Sequence, residues 1–292
     1  MTSGGCSSFV RVDELLRGGT THSFEFMPPK TDEESRVLER TMTDLEPLHP
    51  SFVSVTYRGG RESRQRTFDL VTQIQRGSRL TAMAHLICVG HSRAEMRDIL
   101  KNYLDAGVLN VMALGGDIPD DPNLVASEFV HAMDLVELAR ETGDFSIGVA
   151  AHPLGHPRST DLASDRFYLA RKLSVADFAV TQFFFLVEEW SRLVEELGAL
   201  GVNKPVLPGI MPVTTLGGIE RMTNMGSRVP PELVARLVAA DGRGGPQAVR
   251  AEGIKAAVEL CEQLLDRGAP GLHFYTLNRS TATREIYAAL SH

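Results

Sequence analysis

A single glutamate interrupts the apolar run Ser23-Phe24-Glu25-Phe26. A carboxyl group flanked by phenylalanines is either paired with an arginine for structural reasons or poised for proton transfer. Asp117 follows two glycines in Gly115-Gly116-Asp117, where it could cap a turn or face a ligand as a carboxylate. Gln182 precedes three consecutive phenylalanines, and its amide can both donate and accept. Arg279 lies just beyond the run Phe274-Tyr275-Thr276-Leu277-Asn278 and suits either the surface or an anion clamp. His85 taken alone reads as a hydrogen-bonded core histidine. His152 and His156 have the spacing of a helical zinc pair, yet Pro153 and Pro157 oppose a helix there and no neighbouring carboxylate completes a zinc-protease motif. No metal site is expected.

These residues need elements to hold them. Short β-like runs occur at 21–26, 52–57, 81–87, 110–113, 146–151, 177–183, 205–209 and 271–277. Helical patterns separate them. Thr31-Asp32-Glu33-Glu34 and Ser92-Arg93-Ala94-Glu95 have the form of capping boxes, and Gly107 and Gly201 stand where helices should stop. Trp190, Leu193, Val194 and Leu197 share one helical face. Eight strands alternating with helices, with no break in composition, predict one parallel α/β domain. The economical closure is a (β/α)8 TIM barrel over residues 21–292, preceded by a Gly/Ser-rich lead-in over residues 1–20. A doubly wound sheet would place a glycine-rich dinucleotide turn after the first strand, and Met27-Pro28-Pro29-Lys30 is not one. A barrel gathers its chemistry at the C-terminal ends of its strands, where most of the residues above fall.

Composition narrows the partners. With 37 acidic and 30 basic residues the formal net charge is −7, which gives no bulk attraction to nucleic acid or to an anionic membrane. No run approaches the roughly 20 apolar residues of a membrane span. Cys6, Cys88 and Cys261 form neither a disulfide framework nor a metal motif, and no secretory signal opens the chain, so a cytoplasmic setting is expected.

The ordered set of motifs resembles the methylenetetrahydrofolate reductase family. The matching runs are Phe24-Glu25-Phe26 with Pro28-Pro29, Val55-Thr56-Tyr57, His85-Leu86, Ala113-Leu114 with Gly116-Asp117, and His152-Pro153 with His156-Pro157. Arg171-Lys172, Thr181-Gln182-Phe183-Phe184-Phe185, Pro208-Gly209-Ile210 and Phe274 through Arg279 follow in the same order, so the likeness spans nearly the whole chain. The resemblance implies a TIM barrel that reduces 5,10-methylenetetrahydrofolate to 5-methyltetrahydrofolate with NADH or NADPH and, in the family, bound FAD.

It also assigns roles. N10 of the folate must gain a proton as the five-membered ring opens, leaving an N5-iminium cation that accepts hydride. Glu25, kept protonated by its apolar surroundings, is the implied general acid, and Asp117 the carboxylate that stabilises the cation and holds the pterin edge. Gln182, Tyr275 and Arg279 complete the implied substrate set, with Arg279 suited to the tail carboxylates. Thr56, Tyr57, His85, Gly116, Asp117, Ala126, His152, His156, Asp165, Arg171, Lys172 and Gln182 are the implied cofactor contacts.

Several positions depart from the family pattern. Gly115 replaces an arginine of the flavin site, Val125 a tyrosine and Tyr168 an asparagine, while His152 replaces a common tyrosine and Leu216 a phenylalanine. Losing one charged hydrogen bond weakens a site by about tenfold to a hundredfold, so these changes predict weak flavin binding or none. Hydride transfer directly from the nicotinamide to the iminium is then expected. Two other classes stand beside this one: a catalytically idle folate- or nucleotide-binding paralogue, and a flavin-linked oxidoreductase of the proline dehydrogenase type. The retained Glu25, Asp117 and Gln182 speak against the first, and proline dehydrogenase chemistry has less need of an acid at Glu25.

Overall fold

In the computed structural model, which describes residues 10–57, 61–116 and 128–290, the alternating runs become one parallel sheet. Its strands are β1 (Thr21–Phe26), β2 (Phe52–Val55), β3 (Ala82–Ile87), β4 (Asn110–Leu114), β5 (Ser146–Ala151), β6 (Phe178–Thr181), β7 (Val206–Leu207), β8 (Gly209–Ile210) and β9 (Gly271–Tyr275). The seventh expected strand is split at Pro208, which has no N–H to give a ladder. Its first half, β7, pairs with β6, and its second half, β8, pairs with β9. The ring therefore closes through one broken strand, and the fold is the (β/α)8 barrel that the alternation predicts. At this junction a side chain on Gly209 would strike the Thr181 carbonyl oxygen at 2.3 Å and the Tyr275 ring at 2.5 Å, so only glycine lets the three strands meet.

Nine helices among the described residues follow the strands, from α2 (Asp32–Leu45), α3 (Arg61–Gly77) and α4 (Arg93–Asp105) through α5 (Ala132–Thr142), α6 (Leu162–Leu173) and α7 (Val187–Ala199) to α8 (Leu216–Asn224), α9 (Pro231–Asp266) and α10 (Thr281–Leu290). Thr31 and Ser92 cap α2 and α4, each accepting from the backbone N–H three residues on at 3.2 Å. The returning half of each capping box is diverted. Glu34 accepts from Lys30 N–H, and Glu95 turns to Arg64 and His91. Gly107 and Gly201 both follow their helices at φ 79°, as the spacing predicts. Trp190, Leu193 and Leu197 are buried, with the indole N–H donating to the Val206 carbonyl at 3.0 Å and so tying α7 to β7.

Strand alternation sorts the core into two layers. Phe24, Phe26, Val53, Val55, Ala84, Val111, Val149 and Phe274 face the helices in one large cluster. Phe52, Met83, Met112, Phe178, Val180 and Leu207 form a second cluster with Val12 and Leu16 of α1 (Val12–Gly18). This short helix is fixed by side chains of the barrel's N-terminal end: Val12 N–H donates to Asn110 Oδ1 at 2.7 Å and Asp13 N–H to Ser146 Oγ at 3.0 Å. Burying each large apolar side chain here is worth about 1.5–3 kcal/mol.

Three strands stop short of their expected ends, each for a local reason. Gln182 Oε1 accepts the Phe183 N–H at 3.1 Å, which removes that donor from the β6 ladder. Leu277 and Asn278 take left-handed φ values of 50° and 55°, ending β9 at Tyr275. β2 ends at Val55, beyond which Tyr57 turns its hydroxyl to His91.

Candidate active site

Glu25 sits one residue before the end of β1, its side chain 15% exposed. Its Oε2 lies 3.4 Å from His85 Nε2 on β3 and 3.7 Å from His273 Nε2 on β9. No arginine pairs with it among the described residues, so the bland structural reading of this carboxyl loses its partner. Its own carbonyl accepts from Thr276 Oγ1 at 2.6 Å, which locks β1 to the loop after β9. Burial, set partly against the neighbouring Glu25, pushes the His85 imidazole below the usual histidine range. A neutral ring is therefore what faces the carboxyl.

Tyr275 stands opposite Glu25 in the β1–β9 register. Its hydroxyl donates to the Thr181 carbonyl at 2.7 Å, and burial and then Glu25 raise its pKa well above the ordinary tyrosine value. It thus presents a ring surface and a neutral hydroxyl. Gln182 lies after β6, its amide N–H 3.4 Å from the Met225 carbonyl. Arg279 is exposed and lines a cavity of about 640 Å³ with Met27, Pro28, Lys30, Arg66 and Leu277. Among the described residues no carboxylate pairs with it.

Thr56 follows β2, and its buried Oγ1 has no hydrogen-bond partner among the described residues. An orphaned buried hydroxyl is costly, which makes this one a candidate contact for something bound. Tyr57 is buried in a chain instead: its hydroxyl shares a hydrogen bond of 3.1 Å with His91 Nε2, and His91 Nδ1 stands 3.2 Å from Glu95, which Arg64 holds at 2.6 Å.

At the end of β4, a Cβ on Gly115 would meet no described residue closer than 3.9 Å. The nearest side-chain atom among the described residues is Arg158 Nη2 at 4.0 Å, and the same nitrogen donates to the Gly116 carbonyl at 3.1 Å. A guanidinium thus returns to this strand end from the loop before α6. Asp117, Val125 and Ala126 lie outside the described residues.

Past β5, His152 and His156 stand in turns rather than on a helix, as the prolines require, with their rings edge-to-face at 4.7 Å. Burial, and secondarily His156, pushes the His152 imidazole down to about 4. Asp165 on α6 accepts from His156 N–H at 3.0 Å and from Arg166 at 2.7 Å. Lys172 reaches the Ala150 carbonyl at 3.4 Å, and burial lowers its pKa. Arg171 turns to the exposed side and lies over the Phe167 ring, and Tyr168 is 55% exposed beside that ring. Leu216 opens α8, partly buried against the cluster of Phe183, Val213 and Met222.

Sequence reasoning gave no role to three residues, although it counted His273 among the polar groups of the last strand. His273 lies two before Tyr275 on the same strand, so alternation alone would have put it on the same face. Arg166 is buried and holds the His152 and Pro153 carbonyls at 3.0 and 2.6 Å; an arginine beside Asp165 carries little signal of that. Arg158 gave none, because its closeness to Gly115 spans two different loops.

Comparison with known proteins agrees with this geometry. The model of a family described as methylenetetrahydrofolate reductase matches residues 11–291. The chain is 34% identical over 273 residues to the 5,10-methylenetetrahydrofolate reductases of Pectobacterium carotovorum and of Escherichia coli K12, covering 93% of this chain and 90% of theirs. It is 34% identical over 278 residues to the Arabidopsis thaliana protein named methylenetetrahydrofolate reductase (NADH) 1, covering 90% of this chain and 47% of that one. Among solved structures, an uncharacterized Clostridium thermocellum protein that binds two copies of 5-methyl-5,6,7,8-tetrahydrofolic acid has the same fold, with a TM-score of 0.68 over 96% of this chain and 97% of that one at 13% identity. The chain belongs to the methylenetetrahydrofolate reductase family.

Proposed function

We propose that this protein reduces 5,10-methylenetetrahydrofolate to 5-methyltetrahydrofolate, taking hydride directly from a reduced nicotinamide dinucleotide, NADH or NADPH, without tightly bound flavin. The observation that carries this reading is the carboxyl group of Glu25, set at a strand end between two imidazoles and without an arginine among the described residues.

Side chains around the mouth fit a nucleotide. The orphaned Thr56 hydroxyl suits the polar edge of a ring, and the desolvated Lys172 ammonium and exposed Arg158 suit phosphate oxygens. They do not fit a tightly held flavin, because Gly115 offers no donor where the family has arginine and Tyr168 no amide where it has asparagine. Bound nicotinamide supplies the hydride. The remaining steps belong to this chain. Glu25 gives its proton to folate N10 as the bond between N10 and the bridging methylene breaks, leaving the N5-iminium. Asp117 and Gln182 hold the pterin edge, and Arg279 takes the tail carboxylates at its cavity. The methylene carbon becomes the N5-methyl group, N10 keeps the proton, and Glu25 is reprotonated from solvent. Tyr57, His85, Gly116, Ala126, His152, His156, Asp165 and Arg171 complete the proposed cofactor surroundings, in a soluble cytoplasmic protein.

An absorbance spectrum of the native protein, followed by NADH oxidation with methylenetetrahydrofolate in the presence and absence of FAD, tests this. No flavin band and FAD-independent turnover are expected; a near-stoichiometric flavin band would overturn direct transfer.

A further inference from the structure

Two imidazoles stand against the Glu25 carboxyl group. Each approaches Oε2, at 3.4 and 3.7 Å, as an ionic neighbour and not as a hydrogen-bond partner. His273 is 1% exposed and built in from several sides. Its Nδ1 shares a 2.8 Å hydrogen bond with Ser23 Oγ, and its ring stacks on Phe52 at 6.1 Å and meets Tyr275 edge-on at 5.4 Å. Ser23 and Phe52 fix the ring's plane and occupy one nitrogen. The other, Nε2, shares a long 3.5 Å hydrogen bond with Ser54 Oγ and stands 3.7 Å from Glu25 Oε2. The ring is thus held from both nitrogens with one edge against the carboxyl.

We infer that His273 is a positioning residue for Glu25: its fixed ring, standing against Oε2, restricts how the carboxyl group turns. This rests on the reaction proposed above. Among the described residues the groups facing the carboxyl are His85 from β3 and His273 and Tyr275 from β9; Ser54, opposite Glu25 in the β1–β2 register, and Ser23 on β1 act through His273. Loss of the imidazole leaves the carboxyl free to rotate and changes how readily it holds its proton. The defect therefore falls on the chemical step and its pH dependence, with substrate binding spared.

The test is NADH oxidation with methylenetetrahydrofolate by the full-length protein, with thermal unfolding measured alongside. His273→Leu should lower kcat about tenfold to a hundredfold, the range in which a misplaced reacting group costs rate, with KM for both substrates within about threefold. The pH limb of kcat that belongs to Glu25 should move. His273→Gln, whose amide nitrogen can stand near the Nε2 position, should recover most of the loss. A kcat and pH limb unchanged in His273→Leu overturn the inference while leaving the reaction standing. So does a glutamine variant that folds as well as the wild type yet is as slow as the leucine one. An inactive wild type overturns the reaction and this inference together. If His273→Leu yields no folded protein, Ser23→Ala carries the test by freeing Nδ1. A several-fold lower kcat at constant KM supports the inference, and no change in kcat or its pH limb overturns it.

Discussion

At the N-terminal end of the barrel, Phe52, Met83, Met112, Phe178 and Leu207 close the interior against Val12 and Leu16 of α1. Further along the same strands, Ser23, Ser54, Glu25, His85 and His273 make it polar. The two regions share a sheet and a register but differ in how their side chains are satisfied. The lower one gains from excluding water and needs no directional contact. The upper one buries hydrogen-bonding groups whose cost is recovered only in part, as the Thr56 hydroxyl, orphaned among the described residues, illustrates. The difference teaches that stability and chemistry have been parted along the barrel axis: one end closes the fold and the other holds poised groups.

The sharpest way to break this comparison is to change one atom at the upper end. Glu25→Gln keeps the shape of the carboxyl and removes its transferable proton. Turnover should fall by about 10²–10⁴-fold, with folate binding and the unfolding temperature nearly unchanged. Steady-state kinetics and a folate titration check this, and wild-type turnover in the variant would discredit the acid. The matching change at the lower end is Phe178→Ala. It should cost about 3–5 kcal/mol of unfolding free energy, measured in urea, while kcat per folded molecule stays close to wild type. A variant that loses turnover rather than stability would show that the two ends are not separate.

Much of this division was legible in the sequence. Period-two runs between capped helices gave the eight strand positions, and the strand-end rule put Glu25 at the mouth. The apolar lower interior was harder to see. Met83, Met112 and Phe178 sit on strands buried on both faces, where alternation fades into continuous hydrophobicity. The partners of Glu25 were hidden for another reason: β1, β3 and β9 contribute one residue each, and a pairing between positions 25 and 273 leaves no mark in local composition. Capping boxes were half right, because Glu95 finds a better partner in Arg64 on α3 than in its own helix end.

A third comparison uses pH. Burial holds His152 neutral down to about pH 4, whereas the unfolded chain takes up that proton near 6.5. The unfolded state thus binds more protons between those values, so stability that is complete above pH 6.5 is lost as pH falls toward 4. Each tenfold difference in proton affinity is worth about 1.4 kcal/mol, which puts the loss at about 2–3 kcal/mol. Unfolding of wild type and His152→Gln at pH 7 and 4.5 measures it, and the variant should show the smaller acid loss. Equal losses in the two proteins would mean that this ring is not what makes the upper end sensitive to acid.

The smallest effect belongs to the rim. Arg158 stands beside Gly115, donates to the Gly116 carbonyl, and has no carboxylate partner among the described residues. If it stands in for the missing arginine toward a nucleotide phosphate, Arg158→Ala should raise the Kd for NADH by about tenfold, the lower end of the range for one charged hydrogen bond. The wild-type Kd should weaken with added salt more steeply than that of the variant, because an exposed pair is screened. Neither unfolding temperature nor the pH limb of Glu25 should move, since the guanidinium lies at the surface and is absent from the groups around the carboxyl. Direct NADH titration by fluorescence separates this from any effect on turnover. An unchanged Kd would leave the rim without its cation and return the phosphate contact to Lys172 alone.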